Sequence, residues 1–396
     1  MAKAKSKKAE QATLIMDDRA AKCNREDLLS ACQALAAIVA RRTTVEAMKC
    51  VLLKFDTWTC TVQATDGEMA GQIVIDANAL EAMSLLVDFN KLTQVLRESR
   101  GKLVSFEPAK IDGGIFTSDK QGATIRCGSG RWSIAGEDPS TLSEWNFSID
   151  ASLSVDADHL KEVVLKTVFC AEEDDTRFSV DCLSFELGDE TFVVGTDCKR
   201  VSACPLSCVI IGEHGKTNLL LPDKAAVALT RFFEPCDVVR IGADSNRVTF
   251  MGDKRAFTSR LLIGTYPPWK KVVPKELERE VTIRLDDLAR AIRQVLPMTG
   301  KDSGVDFCFS NQTLTLKVKT QSVGSAEIEV PVDGPNGETN LLIDPRYFKD
   351  FCEAMGKENP LVTIGLSQIP DKPITMRVRD DGYLYVLLPL VREVTT

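Results

Sequence analysis

Apolar positions recur at two spacings along this chain, and each spacing appears three times. Leu160, Val163, Val164 and Val168 share one face at helical period, as do Leu288, Ala291, Ile292, Val295 and Leu296. A third helix opens at Asp27-Leu28-Leu29. The three starts carry Asp27, Asp158 and Asp287, each placed to accept bonds from the free amides of a first helical turn. Beyond each helix the apolar residues alternate: Val51, Leu53 and Phe55, then Leu183, Phe185 and Leu187, then Val305, Phe307 and Phe309. A period of two predicts strands with one covered face. Turns at Asp56-Thr57-Trp58, Gly188-Asp189-Glu190 and Asn311-Gln312 send each strand back on itself. A second helix follows near residues 90–100, 223–233 and 345–355.

Leu28, Leu160 and Leu288 lie about 130 positions apart, far beyond the roughly 20–50 residues of a solenoid repeat. The repeated unit is therefore a whole small domain. Two helices packed on antiparallel strands make an α+β fold, used here three times, and 396 residues suit three such domains. Proline and acidic clusters mark the joints, at Gly136-Glu137-Asp138-Pro139 and at Tyr266-Pro267-Pro268-Trp269 followed by Pro274. The expected division is a disordered basic tail over 1–18 and domains over 19–146, 147–273 and 274–396.

The tail has lysines but no apolar stretch after them, so it is not a secretory signal. No apolar run of about eighteen residues appears, so no membrane span is expected. The 13 cysteines, without a signal, point to reduced thiols in a cytoplasm. Cys204 and Cys208 have no second pair at zinc-ligand spacing and read as buried thiols, so neither metal nor cofactor is expected. The two histidines, His159 and His214, accompany no nucleophile elbow, and His159, at a helix start, reads as a surface residue.

A net charge of -8 argues against a basic nucleic-acid surface, but its distribution is uneven. The helices carry cations: Lys91 and Arg97, Lys161 and Lys166, Lys224, Arg290 and Arg293, Arg346 and Lys349. Acids concentrate elsewhere, as in Glu172-Glu173-Asp174-Asp175. One such helix is an ordinary solvated face; the same layout in five helices suggests a shared role.

Four segments together resemble the bacterial β sliding clamp family, the processivity subunit of DNA polymerase III. Leu262 to Pro274 (Leu-Ile-Gly-Thr-Tyr-Pro-Pro-Trp-Lys-Lys-Val-Val-Pro) is similar to the family's signature between its second and third domains. Gly195-Thr196-Asp197-Cys198-Lys199-Arg200-Val201 resembles its Ala-Thr-Asp-Gly-His-Arg-Leu, and Ala64-Thr65-Asp66-Gly67-Glu68 the first-domain version. Tyr385-Val386-Leu387-Leu388-Pro389-Leu390 resembles its C-terminal Tyr-Val-x-Met-Pro-Met. The likeness runs from about residue 22 to about 391, in order and in register.

The resemblance implies a non-enzymatic homodimer in which six similar domains form a ring around duplex DNA. Helix cations would then line the hole, joined by Arg42, which matches a family arginine that contacts DNA. It also implies a hydrophobic groove for peptides of the replicative DNA polymerase, an ATP-dependent clamp loader and other partners. Carried over by position, that groove comprises Val180, Thr196, Lys199, Arg200, Val201, Pro267, Lys271, Val272, Val386, Leu388, Pro389 and Leu390. Trp132 and Ile134 match the first-domain side of the dimer interface, with Pro297 and Met298 near the third-domain side. The implied location is the cytoplasm, at the nucleoid. Cys198 stands where the family has Gly, Lys199 where it has His and Lys271 where it has Arg, which alters the groove's chemistry.

Two other readings compete. An enzyme could pair Asp66 with Asp197, although equivalent positions in two repeats suit a structural loop better. A clamp-like scaffold could bind partners without encircling DNA.

Overall fold

The computed structural model describes residues 20–391 except 112–119, 172–177, 189, 213–217, 301–303, 321–322, 357–359, 368, 370–371 and 379–380. The basic tail, the Glu172–Asp175 stretch, His214 and the centre of the Gly188–Glu190 turn lie outside these residues.

Six α-helices form among the described residues: α1 (Arg25–Leu35), α2 (Phe89–Glu98), α3 (Ala157–Val168), α4 (Asp223–Leu229), α5 (Leu285–Val295) and α6 (Pro345–Ala354). Their starts differ from the expected ones. Asn24 caps α1 and Asp156 caps α3, their side chains accepting from the amides of Glu26 and His159. Arg284 precedes α5 with no side-chain cap. In each case a strand runs directly into the helix, so its last residue takes the cap position. Asp27, Asp158, Asp286 and Asp287 fall in first turns, where a carboxylate favours the helix dipole. Helix α4 is shorter than expected, ending at Leu229, where the Thr230 hydroxyl donates to the Val227 carbonyl at 2.8 Å. His159 is half-buried, and its Nε2 accepts from the Ser207 amide at 3.0 Å.

Alternation is clean in the third repeat, where Val305, Phe307 and Phe309 are buried and Phe307 stacks on Phe348 of α6 at 4.8 Å. Asn311 and Gln312 both adopt positive φ, the conformation of a two-residue hairpin turn, and Ser310 pairs with Thr313 across it. In the first repeat the strand Cys50–Phe55 is covered on both faces. Val51, Leu53 and Phe55 fill the main core, while Cys50 and Leu52 pack with Ala47, Leu86 and Leu142.

By backbone contact the chain divides into two compact units. The first runs to Asp150 and takes in Arg231–Gly242 and Thr249–Arg260; the second comprises Ala151–Thr230, Ala243–Val248 and Leu261–Thr396. Strand ladders cross the repeat boundaries within each unit. In the first unit Arg255–Arg260 pairs with Met69–Asn78. In the second, an eight-stranded sheet joins Arg200–Pro205 to Leu384–Leu387, with Val201 opposite Val386. That pairing brings the Thr-Asp turn beside the C-terminal strand. Among the described residues no helix is long and apolar enough to cross a membrane.

Candidate functional site

The turn between the strands Phe192–Thr196 and Arg200–Pro205 is fixed by its own side chains. The Thr196 hydroxyl donates to the Arg200 carbonyl at 2.6 Å and accepts from the Cys198 amide at 3.1 Å. Asp197 Oδ1 accepts from the amides of Lys199 and Arg200 at 2.9 and 2.8 Å. Cys198 is held at a φ of 67°, a conformation that costs a residue with a Cβ and favours glycine. The segment Thr65-Asp66-Gly67-Glu68-Met69 repeats the same bonds, with Gly67 in the equivalent place. Both aspartates thus organise their own turns, and the expected alternative of a catalytic Asp66–Asp197 pair gains no support from how they are used.

Arg200 is only 6% exposed. Its guanidinium bonds Asp197 Oδ2 at 2.9 Å, Asp350 Oδ2 at 2.7 Å and the Phe169 carbonyl at 3.0 Å, and lies over the Tyr347 ring at 4.6 Å. It ties the turn to α6 through Asp350 and to the end of α3 through Phe169. The charge of this expected groove arginine is therefore satisfied within the protein.

A cavity of about 220 Å³ opens beside this turn. Thr196, Lys199, Arg200 and Val201 form one wall, Pro267, Lys271 and Val272 another, and Val386 and Leu388 the third. Three segments distant in sequence converge here because Val201 pairs with Val386 and the Leu388 amide donates to the Lys199 carbonyl at 2.9 Å. Phe178, Cys198, Pro268 and Trp269 complete the walls and were not among the expected residues. Trp269 was legible, as the second aromatic of the Tyr-Pro-Pro-Trp motif. Its indole N–H donates to Glu186 Oε1 at 2.8 Å, and the Tyr266 hydroxyl donates to the Val194 carbonyl at 2.8 Å. Phe178 had no sequence signal beyond its closeness to Val180.

Three expected groove residues are not cavity walls. Val180 and Pro389 are buried beneath the surface. Leu390 is exposed to one side, its amide bonded to the Leu342 carbonyl at 2.7 Å.

Of the helix cations, Lys91, Arg97, Lys161, Lys224 and Arg293 are exposed and form no ion pair among the described residues; Arg42, beyond α1, is in the same state. Arg290 pairs with Asp287 at 3.5 Å, Lys349 with Glu353 at 3.7 Å and Arg346 with its own cap Asp344 at 2.6 Å. Lys166 departs from expectation. Its side chain is 15% exposed, holds Glu162 at 2.7 Å and Asp381 at 3.3 Å, and lies over the Tyr383 ring. It serves the fold rather than an outside anion.

Trp132 and Ile134 lie on the strand Gly130–Glu137, which pairs along its length with Lys120–Cys127. On its other side, among the described residues, only Gly136 and Glu137 are paired, so Gly130 to Ala135 present an open edge. A cavity of about 620 Å³ lies there against α2, lined by Trp132, Ile134, Lys91 and Val95. Gly130 lets the Trp132 ring fold back over it, since a Cβ would overlap that ring at 1.9 Å. In the second unit, Pro297 is exposed and Met298 half-buried, and the Met298 carbonyl accepts from Thr320 at 2.8 Å. The nearby strand Gly324–Pro331 ends its four-stranded sheet, a second open edge.

No two of the thirteen cysteines are bonded to each other. Burial pushes the Cys204 thiol up to about 12, the behaviour of an inert core thiol.

Comparison with known proteins adds three findings. The chain matches a family profile described as DNA polymerase III beta subunit, central domain, over residues 154–268, and one described as its C-terminal domain over 270–391. It is 24% identical over 374 residues to the beta sliding clamp of Pseudomonas aeruginosa and 24% over 377 to that of Caulobacter vibrioides, covering 92% of this chain and 98% of each relative. Its fold is similar to the DNA polymerase III subunit beta from Pseudomonas aeruginosa (TM-score 0.83, 22% identity, 94% of this chain and 99% of that one). It is also similar to the sliding clamp from Bacillus subtilis (TM-score 0.83, 16%, 94% and 99%).

Proposed function

The chain belongs to the family of DNA polymerase III beta subunits, and on that premise we propose that it works as a ring that encircles duplex DNA and tethers partners to it. It is a sliding clamp, a processivity factor of DNA replication, and the family is non-catalytic. In our reading two copies close head-to-tail, through the Trp132 edge of one and the Met298 side of the other. Heterologous contacts that close make rings, and pairing two open edges removes both from solvent. Exposed cations such as Arg42, Lys91, Lys161 and Arg293 would meet phosphates without reading bases, which permits sliding. Enclosure retains the ring on DNA, so a chain of net charge -8 needs no tight contact.

The observation that carries the partner-binding half of this reading is the 220 Å³ cavity, built where the three recognised segments meet. An apolar cleft with a few polar groups suits a peptide anchored by aliphatic or aromatic side chains. Such peptides would come from the replicative DNA polymerase and from an ATP-dependent clamp loader in the cytoplasm. Leu388→Ala with Val272→Ala should weaken binding of a Gln-Leu-x-Leu-Phe peptide at least about tenfold, since each truncation removes roughly 1 kcal/mol or more at a hot spot. Fluorescence anisotropy would measure the loss and sedimentation the unchanged dimer. Unaltered peptide affinity would place the binding site elsewhere.

Trp132→Ala tests ring closure separately. Truncating an aromatic interface anchor costs about 2 kcal/mol or more, or roughly 30-fold in dimer dissociation. Analytical ultracentrifugation at low concentration should find monomer for the variant and dimer for the wild type. A wild type that is monomeric at micromolar concentration would rule the closed dimer out.

A further inference from the structure

Two large apolar side chains stand in solvent on neighbouring segments of the first unit. Trp58 is 73% exposed and Leu80 66%. The turn that carries Trp58 is tied to the residues just before Leu80. The Ala77 amide donates to the Trp58 carbonyl at 2.9 Å, and the Ala79 amide to the Thr57 carbonyl at 3.2 Å. Apolar residues exposed singly are ordinary. A tryptophan with a leucine close by is different, because aromatic rings of this size are favoured contact anchors.

The chain enters the fold at this point. The strand Ala21–Asn24 runs antiparallel to Met69–Asn78, with Lys22 opposite Asn78 and Cys23 opposite Ala77. Continued back, that register brings Ala21 and Ala20 level with Ala79 and Leu80. The 19 residues before Ala20 therefore lead away from beside the apolar pair. They hold one run of large apolar residues, Leu14-Ile15-Met16, too short for a secretory segment. It lies four to six positions before Ala20, so an extended chain carries it no more than about 21 Å away. Charge favours the same placement. The tail opens with Lys3, Lys5, Lys7 and Lys8. On the paired strand, Asp76 borders a cleft of about 360 Å³ that also holds Asp27, Asp237 and Asp253. The cleft's two cations are engaged, Lys254 with Asp76 at 3.1 Å and Arg255 with Glu234. Asp27, Asp237 and Asp253 have no ion pair among the described residues.

We propose that the N-terminal segment docks on its own unit, with Leu14, Ile15 and Met16 covering Trp58 and Leu80 and the lysines reaching the acidic cleft. The apolar contact is the anchor, because exposed ion pairs add little and are screened by salt. Attachment favours this occupant over a second copy or a free partner. A tethered segment is present at an effective concentration on the order of millimolar, so even a weak contact is occupied.

The test places the photocrosslinking residue p-benzoylphenylalanine at position 15 of the full-length protein and maps the adducts by mass spectrometry. They should form within one chain, at the Trp58 turn or beside Leu80. Trp58→Ser with Leu80→Ser should remove them. The same pair should speed tryptic cutting after Arg19 about tenfold, since cutting follows the undocked fraction. Both side chains are exposed, so the fold should be kept, as circular dichroism would verify. Leu14→Ser with Ile15→Ser alters only the tail and should speed the cutting to the same extent. Replacing the four lysines with glutamine should have a smaller effect that disappears toward 1 M salt, where the screening length is about 3 Å. Adducts elsewhere on the chain, or only between two chains, would overturn the proposal. So would a cutting rate at Arg19 that neither serine pair changes.

Discussion

Arg200→Ala is expected to destabilise the second unit by about 3–5 kcal/mol, the cost of stripping one partner from a buried ion pair. Asp197 would be left at 4% side-chain exposure without its cation, and the Phe169 carbonyl and Asp350 would each lose a charged donor. Thermal unfolding should begin at markedly lower temperature, and peptide binding should fall with it, because Asp197 also holds the turn that walls the groove. Arg200→Lys keeps the charge but cannot reach three acceptors from one ammonium position, so it should fall between wild type and alanine. Asp350→Asn removes only the outer carboxylate, 33% exposed, and should cost far less. A wild-type unfolding profile for Arg200→Ala would show that the network carries little stability.

The periodic parts of the fold could be read from the sequence because they depend on local spacing. The faces of Leu160 and Val163, or of Phe307 and Phe309, follow from periods of 3.6 and 2 alone. The helix caps were misplaced because an acid before an apolar run scores as a cap, whereas the observed cap is set by where the preceding strand ends, at Asn24 and Asp156. Which strands pair across repeats, such as Arg200–Pro205 with Leu384–Leu387, was not legible, since it depends on contacts of high sequence separation. Side-chain direction was the other hidden quantity. Arg200 and Lys166 look like cations available to a ligand, but both turn inward to acids that lie about 150 and 215 positions away, contacts of high sequence separation that no local pattern announces. Lys199 and Lys271 occupy the same motifs and point outward.

The largest difference expected of this protein is between closed and open DNA. In the proposed arrangement the exposed helix cations would give weak, salt-dependent attraction to phosphate, with binding falling steeply as salt rises. A closed ring is held by topology instead and can leave a circle only by opening. On a linear duplex it can diffuse to an end and slip off. Residence on circles should therefore exceed residence on linear DNA by orders of magnitude, although the phosphate contacts are the same in both. Replacing Lys91, Lys161 and Arg293 with alanine should reduce loading more than it shortens residence on circles, because charge governs encounter and closure governs escape.

The decisive measurement is retention through gel filtration on nicked circular plasmid, after loading by a compatible clamp loader with ATP, before and after the plasmid is cut once. Encirclement predicts that the protein elutes with the circular DNA in moderate salt and is lost from the same DNA when it is linearised. Equal retention on both forms would contradict encirclement and leave a scaffold that binds DNA by contact alone.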